Sequence, residues 1–179
     1  MNTDFKKPNK IRINGTERLA KLALMNEKVF HIDDLATIWS MENRQALRIL
    51  LARYTQKGIL HRIWRGLYSI IDPKNIDPFL LGIKALHQYG YVSCETVLFN
   101  EGIINQRPIN ITLVSNVSKI FSILGHDYRV RKMKDDFLYD NFGVSIKDGI
   151  MTANASRAKK DMGYFNNKKY YDADKQSGR

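Results

Sequence analysis

DDLATIWSMENRQALRILLARYTQKGILHRIWRGLYSII, residues 33 to 71, is the stretch on which the reading of this chain turns. Asp33 is a strong helix N-cap type and sets acidic side chains at the positive end of the helix dipole, so a short helix is expected from there through Trp39. Leu35, Ile38 and Trp39 recur at i, i+3, i+4 and form its inward stripe. Ser40-Met41-Glu42 makes a tight turn. A longer helix is expected over Glu42 to Lys57, ended by Gly58, which takes the left-handed position without a Cβ penalty. Two β-rich runs, 59–63 and 67–71, flank Trp64-Arg65-Gly66 and predict a hairpin. Short helix, turn, longer helix, hairpin is the order of a winged helix-turn-helix, whose second helix lies in the DNA major groove while the hairpin reaches flanking backbone or minor groove.

At about 100° per residue, the longer helix separates into two faces. Ala46, Leu47, Leu50 and Tyr54 fall within one arc and are expected to pack inward, while Arg44, Gln45, Arg48, Ala52 and Thr55 fall within the opposite one. Asn43, Arg44, Gln45 and Arg48 are residue types that make paired bonds to base edges, Arg to guanine and Asn or Gln to adenine. They occupy the N-terminal end of the helix, which is the end a helix-turn-helix inserts. These four are the expected base-reading residues, and the alternative is a solvated basic face. In the hairpin, Arg62 and Arg65 are expected phosphate or minor-groove contacts. His61 either shares that role or is structural, and Trp64 is expected to pack beside the turn.

Composition agrees with a polyanionic partner. The chain of 179 residues has 29 Lys+Arg against 18 Asp+Glu, a formal charge of +11. DNA, RNA or an acidic protein surface would each suit that excess. It is spread evenly: residues 1–80 hold 14 Lys/Arg and 8 Asp/Glu, residues 81–179 hold 15 and 10, so the second half needs an anionic partner of its own or uses the charge for solubility. A single cysteine, Cys94, excludes an intramolecular disulfide and a cysteine-rich metal site. No stretch has the length of a membrane span, and the basic N-terminus has no apolar run behind it, so a cytoplasmic protein is expected.

Residues 1–14 read as a polar, basic arm, followed by a helix capped by Thr16. Asp72-Pro73-Lys74-Asn75-Ile76-Asp77-Pro78, with its two prolines, reads as a boundary. The expected organisation is a winged helix-turn-helix domain over 1–72, a linker over 73–77 and a mixed α+β domain over 78–179. In the latter, Asp77 and Pro78 open a helix running to about Tyr89. Ser93 caps another, Cys94 to about Asn100, and 109–114 is a strand. Further strands are expected around Phe121, Tyr128–Met133, Phe137–Tyr139 and Val144–Ile146, then a helix near Ala153–Tyr164 and a polar tail from Asp172.

The second domain offers a basic run, Arg129-Val130-Arg131-Lys132-Met133-Lys134. Read as a strand, it puts Arg129 and Arg131 on one face and Lys132 and Lys134 on the other. It either contacts a partner or nucleic-acid backbone, or is a soluble edge strand protected by charge. Catalytic patterns are missing: His31, His61, His87 and His126 show no metal-ligand spacing, and there is no phosphate loop or nucleophile elbow. No cofactor, metal or catalytic residue is expected. Asp135, Asp136, Asp140 and Lys134 could serve a metal-dependent nuclease only if they converged on one ion; a solvated loop is the simpler reading. Arg157 and Asp161 are spaced for an i, i+4 ion pair.

DDLATIW, LLARYTQKGILHRIWRGLYSI, YVSCETVLFNEGIINQRPINITLVS and GIMTANASRAKKDMGYF, in that order, resemble the AbiEi antitoxin family of the abortive-infection AbiE systems, which are type IV toxin–antitoxin, phage-defence modules. The similarity covers roughly residues 16 to 172. The block Ser93, Thr96, Val97, Leu98 and Gly102, with the helix carrying Ala155, Ala158 and Asp161, is more specific than KGIL…RGLY, which many winged-helix proteins share. The resemblance implies a repressor of its own operon that binds inverted repeats in double-stranded DNA and neutralises a nucleotidyltransferase-like toxin, without being an enzyme. By motif position its DNA contacts are residues 43 to 48 and the Arg65 hairpin; no neutralising residue is implied. The alternative is a winged-helix transcription regulator whose second domain senses a ligand or a protein, with no toxin partner.

Overall fold

Asn14 rather than Thr16 opens the first helix, α1 (Gly15–Leu24): its side-chain oxygen accepts the Glu17 amide at 2.8 Å. The computed structural model describes residues 14–174, so the expected basic arm lies, but for Asn14, outside the described residues, as does the end of the expected tail. Strand β1 (Val29–His31) runs directly into α2 (Ile32–Ile38). The cap of α2 is His31, not Asp33. Its Nδ1 accepts the Asp33 amide at 3.3 Å, and the Asp34 carboxylate accepts the His31 amide at 3.0 Å. This reciprocal box satisfies two amides that would otherwise be orphaned, and it moves Asp33 into the first turn.

Helix α3 (Arg44–Gln56) begins two residues later than expected, because Asn43 caps it by accepting the Ala46 amide at 3.0 Å. Gly58 (φ +68°) follows its end. Strands β2 (His61–Trp64) and β3 (Leu67–Ser69) form the expected hairpin, but β3 also pairs with β1, giving an antiparallel sheet of order β1-β3-β2. Leu22, Phe30, Leu35, Trp39, Leu47, Leu51, Tyr54, Leu60 and Tyr68 bury together beneath it. Each large apolar side chain there contributes about 1.5–3 kcal/mol relative to exposure. The Trp39 ring meets Tyr54 edge-on, and its indole N–H donates to the Arg18 carbonyl at 3.1 Å, which ties α1 to the end of α2.

A 3-10 turn (Pro73–Asn75) leads into α4 (Pro78–Leu86), with Asp77 capping and Pro78 at the first helical position as expected. It ends at Leu86 because His87 turns left-handed (φ +52°). Then follow β4 (Gly90–Val92), α5 (Glu95–Asn100), β5 (Ile111–Ser115), β6 (Lys119–Ile123), β7 (His126–Lys132), α6 (Asp135–Leu138), β8 (Val144–Lys147), β9 (Ile150–Ala153) and α7 (Ala155–Asp174). The strands form one mixed sheet of order β6-β7-β5-β4-β9-β8, with β5/β7 and β4/β9 parallel. Among the described residues the fold is thus mixed α+β, with seven α-helices and two sheets.

Several expectations are corrected here. Ser93 does not cap α5: its hydroxyl is buried and donates to Asp161 at 2.7 Å, while Cys94 holds the cap position with no side-chain bond. The segment around Phe137 is helix α6 rather than strand, with Asp135 and Asp136 in its first turn, where the helix dipole favours carboxylates. Strands β4 and β9 were not expected at all. The basic run is no edge strand, since β7 lies between β6 and β5.

The two sheets do not sit apart on a tether. Val29 and Leu67 of the small sheet belong to the same buried cluster as Leu81, Leu86, Tyr91 and Leu113, and Ile76, within the expected linker, is buried in it too. Lys84 of α4 reaches Glu27 at 2.7 Å across the same boundary. No helix among the described residues is long and apolar enough to cross a membrane.

Candidate nucleic-acid interface

Leu47, Leu51 and Tyr54 fix the inward face of α3, with Leu50 half-buried beside them. Ala46, expected inside, is exposed, because the buried arc centres on Leu47 and Leu51 rather than on Ala46 and Leu50. Arg44, Gln45, Arg48 and Ala52 are exposed as expected. Two of the four expected base-reading residues already have work inside the protein. The Asn43 side-chain oxygen is committed to the helix cap, and the Arg44 guanidinium lies 2.6 Å from the Asp33 carboxylate.

In the hairpin, Gly66 (φ +76°) makes the turn, and a Cβ there would come within 3.2 Å of His31 Nε2, so glycine serves both backbone and packing. Its carbonyl accepts the Ile32 amide at 2.8 Å, tying the hairpin tip to the start of α2. A bulge between Arg62 and Trp64 breaks simple alternation, and Arg62 and Arg65 are both exposed. Trp64 packs beside the turn as expected, but against the other sheet: its ring stacks on Phe121 of β6, centroids 5.7 Å apart, and Phe121 stacks on the buried Tyr128 at 4.9 Å.

These elements enclose a groove of about 1080 Å³. Arg48, Ala52 and Thr55 of α3 line it from one side and Arg62 and Arg65 from the hairpin; Lys119, at the start of β6, lines it as well. Four lining residues are Lys or Arg and none is a carboxylate. Arg48, Arg62, Arg65 and Lys119 make no ion pair among the described residues. Gln45 is exposed but does not line the groove. Lys119 escaped the sequence reading because only folding brings β6 against the hairpin.

His31 and His87 also line the groove. Their rings stack with centroids 3.8 Å apart; His87 Nε2 is 3.3 Å from Asp34, and His31 Nδ1 is 3.2 Å from Asp33. Burial first, and then the charge of His87, hold the His31 ring below the usual histidine range, against the pull of Asp33 and Asp34. His31, Asp33 and His87 hold ligand atoms within 4.8 Å of one another, a grouping the sequence spacing does not reveal. The ring planes differ by only 27°, so their nitrogen lone pairs do not converge on one point, and Asp33 is already paired with Arg44. Two rings binding one ion would have to leave their stack.

The remaining candidates are largely spent on the fold. Arg131 lies over the Phe165 ring at 4.0 Å and pairs with Glu95 at 3.4 Å, and Met133 is buried. Arg129, Lys132 and Lys134 are exposed. Asp140 pairs with Lys160 at 2.9 Å and accepts the Phe142 amide; the Lys160 bond and that amide draw its carboxyl below the usual range. Asp135, Asp136 and Asp140 form no metal-binding group among the described residues. Arg157 and Asp161 do pair, but as a fully buried pair 2.8 Å apart. Cys94 is buried in a left-handed conformation (φ +56°), and burial pushes its thiol up to about 12, away from nucleophilic use. No protein-family model matches the chain, and no curated protein matches it either.

Proposed function

We propose that this chain is a DNA-binding antitoxin that represses its own operon. In this reading residues 1–72 act as a winged helix-turn-helix, and residues 78–179 act as the α+β domain that neutralises a nucleotidyltransferase-like toxin. The observation that carries the DNA half is the groove: Arg48 on the outer face of α3 looks across it to Arg62 and Arg65, with no carboxylate in its lining. Such a surface attracts a polyanion, and binding to a phosphate backbone gains further from the release of its condensed counterions. The helix offers hydrogen-bonding and small side chains toward base edges, and the hairpin offers cations toward phosphates.

The antitoxin half is supported by the resemblance alone. The two blocks that carry it pack as one unit, since Ser93 of the first donates to Asp161 of the second. The reading assigns no catalysis to the chain.

Two experiments test the halves separately. Footprinting on the DNA upstream of the gene at low salt is expected to protect an inverted repeat, and no protection there removes the repressor. Co-expression with the product of the reading frame immediately downstream is expected to restore growth that the product alone arrests. Without rescue, the chain is better read as a winged-helix regulator whose second domain senses a ligand or a protein.

A further inference from the structure

We infer that the six-stranded domain itself holds the nucleic-acid backbone, through Lys119. This rests on the reading of α3 and the hairpin as a DNA-binding element, and it adds a contact outside that element. Lys119 and Phe121 point to the same face of β6 by strand alternation, and Phe121 is stacked on Trp64 of the hairpin. The Lys119 ammonium lies 5.6 Å from the Trp64 ring centroid and 5.3 Å from that of Phe121. The two ring faces attract the cation without neutralising it, so a full positive charge is presented to the groove at a defined place.

That place is set by packing rather than by a flexible connection. Trp64, Phe121 and Tyr128 stack in series, and the Tyr128 hydroxyl donates to the Pro78 carbonyl at 2.8 Å. The hairpin therefore cannot approach a duplex without bringing β6 with it. A phosphate contacted by Arg62 or Arg65 has Lys119 on the adjoining wall of the same groove. The nearest carboxylates to the groove's histidines, Asp33 and Asp34, are engaged with Arg44 and His87.

The test is fluorescence anisotropy of the full chain against a labelled mixed-sequence DNA duplex of about 30 base pairs, over a range of salt. Non-specific affinities of this kind are measurable and are governed by phosphate contacts, each contributing roughly 0.9 to the slope of log K against log salt. Lys119→Gln is expected to weaken binding about 3- to 10-fold at low salt and to lower that slope by roughly one. Lys147→Gln removes an equal charge from β8, the opposite edge of the sheet, and is expected to change neither. Lys119 is exposed, so an unchanged thermal midpoint checks that the fold persists.

Wild-type affinity and slope in Lys119→Gln, with binding lost in Arg48→Ala and Arg65→Ala, would overturn the Lys119 contact and leave the DNA reading standing. Failure of the unaltered chain to bind the duplex at low salt would overturn both. Equal binding to polyglutamate would reassign the groove to an acidic protein.

Discussion

The imidazole rings of His31 and His87 lie 3.8 Å apart and nearly parallel, one from the end of β1 and the other from the left-handed cap that follows α4. Each faces a carboxylate of the same helix, α2, and the stack joins the cap of that helix to the six-stranded domain. His31 is therefore asked to stay neutral: its Nδ1 must accept the Asp33 amide, and burial and then His87 lower its pKa from the ordinary 6.5.

The consequence is a stability that falls with acid. Above 6.5 the ring is neutral in both the folded and the unfolded chain and costs nothing. As pH drops through that value the unfolded chain binds the proton first, and stability declines until the folded ring is protonated as well. His31→Asn keeps a side chain that can cap α2 while removing the titration. Urea midpoints compared between pH 7.5 and 5.5 are expected to shift less in this variant than in the unaltered chain; an identical shift would refute the assignment.

Gly82 lies where α4 crosses the sheet. A Cβ there would sit 2.5 Å from Tyr128, whose ring is buried, stacked on Phe121 and bonded to Pro78, and so cannot give way. Gly82→Ala gains about 1 kcal/mol of helix propensity but forces overpacking worth about 1–3 kcal/mol. The second effect wins because the neighbour is a clamped ring rather than a flexible chain end. Calorimetry is expected to show a lowered midpoint, and a raised one would mean that Tyr128 has room to move.

Arg157 holds the loop between α6 and β8 from inside. Its guanidinium donates to Asp161, to the Tyr91 hydroxyl and to the carbonyls of Phe137, Asp140 and Phe142. Burial alone works against its charge, but the bond and charge of Asp161 outweigh it and the pKa is raised. Arg157→Met strands a buried carboxylate and three carbonyls, a loss of about 3–5 kcal/mol. Arg157→Lys is expected to be nearly as harmful, since a single ammonium cannot satisfy acceptors arranged around a planar fork. Urea denaturation reads both, and a lysine variant as stable as the unaltered chain would disprove the geometric argument.

What was legible in the sequence was local. Asp77-Pro78 marked a helix start, Gly66 a turn and Leu47 with Tyr54 an inward face, because caps, left-handed glycines and helical periodicity act over a few residues. By residue type Asp33 outranks His31 as a cap, although Asp34 stands where it completes the box from His31. Strand β4 has three residues and β9 four, too few to show a period, and only Ala153 of β9 overlaps the helix expected after it. At the site, Arg48, Arg62 and Arg65 were readable from the pattern. Lys119, the Trp64–Phe121 stack and the His31–His87 stack were not, since each joins segments distant in sequence that only tertiary packing brings together.

Arg44 poses the sharpest question about the recognition surface. It lies beside the helix end expected to meet bases, yet it is paired with Asp33. Both side chains are about half exposed, 51% and 46%, and an exposed ion pair contributes only about 0–1 kcal/mol. A bidentate contact to guanine is worth about 1–3 kcal/mol, so on a matching duplex Arg44 is expected to exchange Asp33 for DNA. Asp33→Asn removes the competing carboxylate and its repulsion of phosphate, and should tighten binding to the upstream DNA by up to about 5-fold. Adding Arg44→Ala to that variant should cost about 10-fold or more. Titrations of the single and double variants against the same labelled duplex decide the matter. If Asp33→Asn leaves affinity unchanged and Arg44→Ala costs nothing in its background, Arg44 is a strut between α2 and α3, and base reading falls to Gln45 and Arg48 alone.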